Sequence, residues 1–195
     1  MRGTVLMASD PAPRFELQDQ FGRPVALADY DGRVVALTFL YTSCRDVCPV
    51  VTGHLKQTHE MLGDDVGRVG FVVVSVDPDR DNVQQAYAYS QQWNMLQKWA
   101  FLVGGQQELE PIWADYYVDP TIDARSHGEV GEDTAHATGP RRGRDGALPD
   151  ATASKYEISH SAPVYLIDRR GLLRVLFTPP LDPVDIAHDI KLLLQ

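Results

Sequence analysis

Two nearly continuous apolar runs, at residues 33–41 and 68–76, constrain the fold of this chain most strongly. Both runs are rich in β-branched and aromatic side chains, which is typical of strands that are buried on both faces. A segment with helical periodicity follows each run, first from Pro49 onward and then over residues 82–93. This alternation of buried strands and helices predicts an α/β fold with parallel strands at the centre of its sheet.

The remaining segments predict smaller elements around that centre. Residues 14–27 largely alternate apolar and polar positions on both sides of Gly22, which indicates a hairpin near the N-terminus. Other patterns predict a strand at 100–103, a helix at 107–116, a ββ hairpin at 162–168 and 172–177, and a last helix at 183–194. A patternless stretch at about 120–154 is too long for an ordinary loop and predicts a flexible insertion before the last ββ hairpin.

Length and charge limit the organisation and the function. With 195 residues, of which 44% are hydrophobic, we expect an N-terminal extension at residues 1–11 and one domain over residues 12–195. The net charge of -9 argues against a protein that binds nucleic acid through its phosphates. No apolar run is long enough to span a bilayer, so we expect membrane attachment only through an anchor that this sequence does not contain.

Cys44 and Cys48 are the only two cysteines, and they lie between the first apolar run and the helix after it. A disulfide that closes so short a loop would stabilise the fold little, so the pair is expected to serve redox chemistry or metal binding. At helical i,i+4 spacing the two Cβ atoms are about 5–6 Å apart, whereas a disulfide needs about 3.5–4.5 Å. The spacing slightly favours a soft metal such as Cu(I), Zn or Cd and leaves the disulfide open.

Pro49 predicts where the helix begins, because proline is well placed at the first helical position. Cys48 is then expected at or near the N-cap, where its sulfur faces unpaired N–H groups and the positive end of the helix dipole. The sequence therefore predicts that Cys48 has the lower thiol pKa of the pair.

His160 immediately precedes the predicted core strand at residues 162–168. If that strand lies beside the strand that ends at Tyr41, His160 faces the cysteine loop across the same end of the sheet. One imidazole and two thiolates form a three-coordinate site suited to copper. Three aspartates in the strand-to-helix turn are instead predicted to cap and turn the chain: Asp77, Asp79 and Asp81.

Three segments together resemble the Sco/SenC family: residues 41–49 read YTSCRDVCP, residues 75–81 read SVDPDRD, and residues 158–168 read ISHSAPVYLID. The similarity extends from about residue 12 to the C-terminus and fails only in the loop before Ser154. The resemblance implies a thioredoxin-like fold, with a central mixed sheet flanked by helices, and a copper ligand set of Cys44, Cys48 and His160. It also implies a copper chaperone, anchored at the extracytoplasmic face of the membrane, as in the periplasm. The expected cargo is Cu(I) or Cu(II), and the expected partner is the CuA centre of cytochrome c oxidase subunit II or another copper or thiol protein.

Two alternatives stay open beside this non-enzymatic copper carrier. One is an extracytoplasmic thiol-disulfide oxidoreductase that uses Cys44 and Cys48 as a redox pair to reduce partner cysteines, and the other is a redox or copper sensor. Two departures from the family pattern favour the oxidoreductase. Arg45 stands where the family often has proline and is expected to lower the thiol pKa, and Pro163 stands where thioredoxins carry a cis-proline. We therefore predict a cis bond between Ala162 and Pro163 that packs against the cysteine loop.

Overall fold

The computed structural model describes residues 1–6, 10–123, 157–159 and 162–195. A six-stranded mixed sheet forms the centre, with the strand order β1-β10-β9-β4-β5-β6. Its strands are β1 (Thr4–Val5), β4 (Val34–Leu40), β5 (Val69–Ser75), β6 (Ala100–Leu102), β9 (Val164–Ile167) and β10 (Leu173–Phe177). The predicted α/β fold is confirmed.

β4 and β5 form the middle of the sheet, and every residue of both strands is buried. They pair in parallel from Val34 opposite Val69 to Leu40 opposite Ser75. Because parallel strands end at the same edge of a sheet, the segments that follow them, including the cysteine loop, meet there. On its other side β4 pairs with β9 in antiparallel register, so the predicted neighbour of the strand before Tyr41 is confirmed.

Four α-helices of the described residues pack around the sheet, and each starts within two residues of its predicted start. They are α1 (Val47–Leu62), α2 (Val83–Gln92), α3 (Gln106–Asp115) and α4 (Pro183–Leu193). Local chemistry explains two of the N-termini, because Asn82 and Asp182 accept hydrogen bonds from the first N–H groups of α2 and α4. No helix in the described part of the chain is both long enough and apolar enough to cross a membrane.

The predicted hairpin near the N-terminus is confirmed as β2 (Glu16–Gln18) paired with β3 (Pro24–Ala26). β1 was not predicted; it adds an edge strand next to β10, and the backbone N–H groups of Arg2 and Gly3 donate to the buried Asp189 carboxylate. The first five residues thus pack on the domain, while the proposed boundary at residue 12 stays a prediction.

A short strand pair was also not predicted: β7 (Thr121–Asp123) pairs with β8 (Glu157–Ser159). The expectation that the insertion lacks regular structure from residue 120 onward is therefore wrong for residues 121–123. Two or three residues are too few to show a period, so a strand this short leaves no signal in the sequence. Residues 124–156 lie outside the described residues.

Gly70 in β5 offers a stability prediction, because a Cβ atom there would lie 2.2 Å from Cδ1 of Tyr30. The Tyr30 ring packs against the hydrophobic core, and the Arg33 guanidinium lies 4.6 Å from its centroid, so the ring cannot move away without losing these contacts. We expect Gly70→Ala to lower the free energy of unfolding by about 2 kcal/mol in urea denaturation. Gly53 in α1 is the matched control, because nothing lies within 4 Å of the position that a Cβ atom would take there. Gly53→Ala should raise stability by about 0.5–1 kcal/mol, and equal effects would contradict the steric argument.

Candidate functional site

The cysteine loop connects the end of β4 to α1 at the carboxyl edge of the central strands. α1 begins at Val47 with Asp46 as its N-cap, two residues earlier than the position of Pro49 suggested. Cys48 therefore lies inside the first helical turn rather than at the cap. Cys44 lies in the loop before the helix, and its backbone N–H donates to the carbonyl oxygen of Tyr41 (3.4 Å).

The two sulfur atoms are both reduced, and both side chains are buried. Cys44 is 8% exposed and Cys48 is 0% exposed, so Cys44 is the thiol that a partner reaches first. The backbone N–H of Cys48 donates to the Cys44 sulfur at 3.4 Å. The side chains also interact directly through a hydrogen bond between the two thiols. The first turn of α1 therefore directs its donors at Cys44.

This arrangement shifts the pKa values of the two thiols in opposite directions. The hydrogen bond from the Cys48 thiol is the largest influence on Cys44, and it lowers the pKa of Cys44 to about 6, with further help from the N–H groups of Cys48 and Asp46. Burial raises the pKa of Cys48, and its hydrogen bond to Cys44 raises it further, because Cys48 is the donor. The prediction that Cys48 is the acidic thiol is wrong. The helix starts earlier than expected, so its free N–H groups meet the sulfur of the preceding loop.

The charge of Arg45 does not account for this low pKa. Arg45 is exposed to solvent, whereas the shifts at Cys44 come from hydrogen bonds and burial. The expectation that Arg45 lowers the thiol pKa is therefore replaced by a local hydrogen-bond explanation.

The pKa difference predicts a pH-dependent alkylation pattern in the reduced, metal-free protein. Only thiolates react rapidly with iodoacetamide, so we expect the alkylation rate of Cys44 to rise with pH around a midpoint near 6. Cys48 should stay unmodified across the neutral range because it is buried and protonated. Mass spectrometry of digests taken along a pH series measures both sites. A midpoint near the ordinary value of about 8.5, or faster labelling of Cys48, would contradict this assignment.

A buried carboxylate holds the cysteine loop in place. Asp81 accepts hydrogen bonds from the Thr42 hydroxyl (2.6 Å), the Thr42 N–H (3.1 Å) and the Ser75 hydroxyl (2.6 Å). Asp81 thereby links Thr42, two residues after the end of β4, to Ser75, the last residue of β5. The pKa of Asp81 is raised to about 6, because burial outweighs the hydrogen bonds from Ser75 and Thr42.

The prediction that the three aspartates after β5 cap and turn the chain agrees with the contacts of Asp77, whose carboxylate accepts the backbone N–H of Arg80 within the turn (3.3 Å). It is wrong for Asp81, which bonds across to Thr42 and Ser75, whereas Asn82 caps α2. Asp77 pairs with the Nε of Arg80, and Asp81 bonds to hydroxyl and N–H groups rather than pointing at a shared centre. Among the described residues, no three His, Cys, Asp or Glu side chains are grouped so as to hold a metal.

On the β9 side of the cysteine loop, the structure describes the chain from Ala162 onward. The hydroxyl of Thr38 donates to the carbonyl oxygen of Pro163 at 2.7 Å, and Thr38 pairs with Val164. The start of β9 therefore lies at the same edge of the sheet as the end of β4. His160 itself lies outside the described residues, so its place beside the cysteines stays a prediction.

The predicted cis bond between Ala162 and Pro163 is wrong. In the described part of the chain only the bond between Pro179 and Pro180 is cis. The analogy failed because a proline before a strand is compatible with an ordinary trans bond, and the Pro163 carbonyl is already held by Thr38.

Comparison with known proteins decides the family. A sequence model described as SCO1/SenC matches residues 6–139, which is more than half of the chain and contains both cysteines. The chain belongs to the SCO1/SenC family.

Two curated relatives illustrate the similarity. The chain is 31% identical over 98 residues to a SCO1 protein homolog of Bacillus subtilis, which covers 49% of this chain and 51% of the relative. It is 28% identical over 160 residues to a mitochondrial SCO2 homolog of Mus musculus, which covers 81% of this chain and 52% of the relative. The chain thus spans about half the length of these curated relatives.

Solved structures of Sco proteins share the fold over nearly the whole chain. Apo Sco1 from Thermus thermophilus gives a TM-score of 0.75 at 25% identity, over 100% of this chain and 97% of that chain. Copper-bound ScoI from Bradyrhizobium japonicum gives a TM-score of 0.72 at 24% identity, over 95% of this chain and 100% of that chain. BsSco is described as having a disulfide switch and as a member of the Sco family of cytochrome c oxidase assembly proteins. It gives a TM-score of 0.64 at 21% identity, over 97% of this chain and 98% of that chain. The predicted thioredoxin-like fold is confirmed.

Proposed function

We propose that this chain is a copper carrier that serves the assembly of cytochrome c oxidase. The observation that carries the proposal is the pair of reduced, adjacent thiols of Cys44 and Cys48 at the carboxyl edge of β4. Thiolates are soft ligands that select Cu(I) over hard cations. Family membership supports the same conclusion, because a solved relative is described as copper-bound and another as belonging to a family of oxidase assembly proteins.

We propose His160 as the third ligand. The start of β9 lies beside the end of β4, so Pro163, three residues after His160 in the sequence, is held at the edge of the sheet that carries the cysteine loop. The imidazole of histidine binds copper well in either oxidation state, so Cu(I) and Cu(II) are both proposed as cargo. Because Cys48 is protonated in the metal-free protein, copper binding releases its proton to solvent.

Delivery follows as ligand exchange in this proposal. A thiolate of the partner displaces one cysteine of this chain from the metal, a second displaces the other, and His160 leaves last. The proposed recipient is the CuA centre of subunit II of cytochrome c oxidase, or another copper or thiol protein. The proposed location is the extracytoplasmic face of a membrane.

The test is a Cu(I) titration of the reduced protein against a colorimetric chelator. His160→Ala should weaken binding by about 100-fold, because one of three ligands is lost. His188→Ala is the control, since His188 lies on α4 and contacts Asp189 instead. Unchanged affinity in His160→Ala would remove His160 from the proposed ligand set.

A thiol-disulfide reductase is the second candidate, and the unequal pKa values of the two thiols favour it. Cys44, as the thiolate, would attack a partner disulfide and release one partner thiolate. Cys48 would then lose its proton and attack the Cys44 sulfur, which releases the second partner thiol and leaves a disulfide between Cys44 and Cys48. Cys48→Ser should trap the mixed disulfide with a disulfide-containing peptide. If the mixed disulfide cannot be trapped and copper binds tightly, the copper carrier is the only one of the two proposed functions that remains.

A further inference from the structure

An open groove of about 610 Å³ lies between the turn after β5, one face of α3 and the segment that follows α3. Its floor is apolar and includes Val76, Trp113 and Val118, all of them buried. The Trp113 ring is fixed, because its Nε1 donates to the carbonyl oxygen of Ser75 at 3.0 Å. The floor is therefore a preformed surface at the edge of the sheet where β5 ends.

The charges of the groove have one sign. Three exposed carboxylates, those of Asp79, Glu110 and Asp119, form its rim, and no Lys, Arg or His lines it among the described residues. The fourth carboxylate, Asp77, is 0% exposed and is balanced by its pair with Arg80. Within the part of the chain that the structure describes, the rim thus presents negative charge without a lining cation, around an apolar floor.

Tyr117 adds an exposed aromatic ring to one wall of the groove. Its side chain is 91% exposed, so nearly the whole ring faces solvent. The backbone at Tyr117 has a φ of 54°, in the left-handed region that residues with a Cβ atom rarely adopt. Its N–H donates to the carbonyl oxygen of Ala114 at 3.2 Å, which holds this conformation at the end of α3. The ring is available to a cation or to an apolar side chain.

A short series of contacts joins the groove to the reactive thiol. Asp77 in the groove pairs with Arg80, and the Arg80 guanidinium carbon lies 5.5 Å from the centroid of the Tyr41 ring. The carbonyl oxygen of Tyr41 in turn accepts the N–H of Cys44 at 3.4 Å. A peptide seated in the groove would therefore lie at the same edge of the sheet as the loop that carries Cys44.

We propose that this acidic groove docks the thiol-bearing segment of the partner protein, and that this segment carries a lysine or arginine next to an apolar or aromatic side chain. The inference rests on the proposed function, because it assumes a partner whose cysteines meet Cys44. Charge complementarity with the rim selects a cationic segment, and the floor selects its apolar neighbour. A second copy of this chain is disfavoured, because each copy carries a net charge of -9.

The test uses the reduced, metal-free full chain and two synthetic peptides. Each peptide contains one cysteine activated as a mixed disulfide with thionitrobenzoate; the cysteine is flanked by Lys and Trp in one peptide and by Glu and Trp in the other. The Cys44 thiolate attacks the peptide sulfur, forms a disulfide to the peptide and releases the thionitrobenzoate anion, whose absorbance gives the rate. At low ionic strength we expect the cationic peptide to react at least about tenfold faster than the anionic peptide.

Two double variants with the same change in charge locate the effect. Glu110→Gln with Asp119→Asn removes rim charges. Glu60→Gln with Asp64→Asn removes exposed charges in the last turn of α1 and just after it, and Glu60 lies about 18 Å along the helix from Cys48. The rim variant should lose about fivefold or more of its rate toward the cationic peptide. The distal variant should lose less than twofold, and Tyr117→Ser should also slow the reaction. Iodoacetamide rates, which depend only on the thiol, should be equal in all four proteins.

Equal losses in the two double variants would mean attraction by net charge alone and would overturn the proposal. A faster reaction in the rim variant would mean that a cationic segment of this chain occupies the groove, which also overturns it. Concentration-dependent sedimentation that disappears in the rim variant would assign the groove to a second copy instead. Copper takes no part in this assay, so the docking proposal and the copper proposal can fail independently.

Discussion

Cys48→Ala is expected to lower the affinity for Cu(I) by about a thousandfold and, independently, to raise the pKa of Cys44. The first effect follows because the variant keeps only one of the two soft ligands. The second follows because the Cys48 thiol is the hydrogen-bond donor that contributes most to the low pKa of Cys44. Cys48→Ser separates the two roles. Its hydroxyl still donates to Cys44, so the pKa should stay low, but oxygen is a poor ligand for Cu(I) and the affinity should still fall.

Chelator competition measures the copper affinity, and the pH dependence of iodoacetamide labelling measures the pKa. Val51→Ala is the matched control, because Val51 lies on the same helix and is 1% exposed. That variant also loses buried side-chain atoms but keeps both sulfurs, so it should bind copper normally while unfolding more easily. If Cys48→Ala binds copper within tenfold of the parent protein, Cys48 is not a ligand and the carrier proposal fails.

The centre of the fold could be predicted because its signals are local. The continuous apolar character of β4 and β5 follows from burial on both faces, and both strands are buried at every position. Asn82 and Asp182 end their loops with side-chain caps, which place the starts of α2 and α4. In each case the deciding atoms lie within a few residues of one another.

The candidate site was predicted only in part, because its electrostatics depend on contacts between elements. The position of the two cysteines was evident, but which thiol is acidic depends on where α1 begins and which sulfur its N–H groups face. The part played by Asp81 was missed, since its partners Thr42 and Ser75 lie 39 and 6 residues away in the sequence. The signal in the sequence is weak: aspartate side chains form hydrogen bonds with groups near them in the chain, and Asp81 lies six residues after Ser75 at the end of β5.

Asp81→Ala is expected to lower the free energy of unfolding by about 3 kcal/mol and to weaken copper binding about tenfold. Removal of this carboxylate leaves the buried Ser75 hydroxyl and the half-buried hydroxyl and N–H of Thr42 without their acceptor. Each lost partner costs on the order of 1 kcal/mol or more. Thr42 stands two residues before Cys44, so the loop that carries Cys44 loses its attachment to the end of β5. Asp81 acts as a positioning residue, and effects of this size are typical when the support of a metal ligand is removed.

The pH dependence of stability distinguishes Asp81 from an ordinary hydrogen-bond acceptor. Burial raises the pKa of Asp81 to about 6 in the folded protein, from an ordinary value of 3.8. Between these values the folded chain holds a proton that the unfolded chain has released, so stability falls as the pH rises through this window. The loss from this one group is on the order of 2–3 kcal/mol. Asp81→Asn keeps an acceptor for Thr42 without a charge, so its stability should change less with pH over the same range.

Urea denaturation of the metal-free protein at a series of pH values between 4 and 8 measures the loss of stability in Asp81→Ala and the pH dependence of stability. Asp79→Ala serves as the control within the same turn, because Asp79 is exposed, and it should change stability by no more than about 0.5 kcal/mol. Similar losses in the two alanine variants would mean that the turn, and not the buried carboxylate, holds the loop. If Asp81→Ala loses stability but binds copper normally, the loop reaches its metal-binding geometry without Asp81, because the metal itself supplies the order that the carboxylate provides in the free protein.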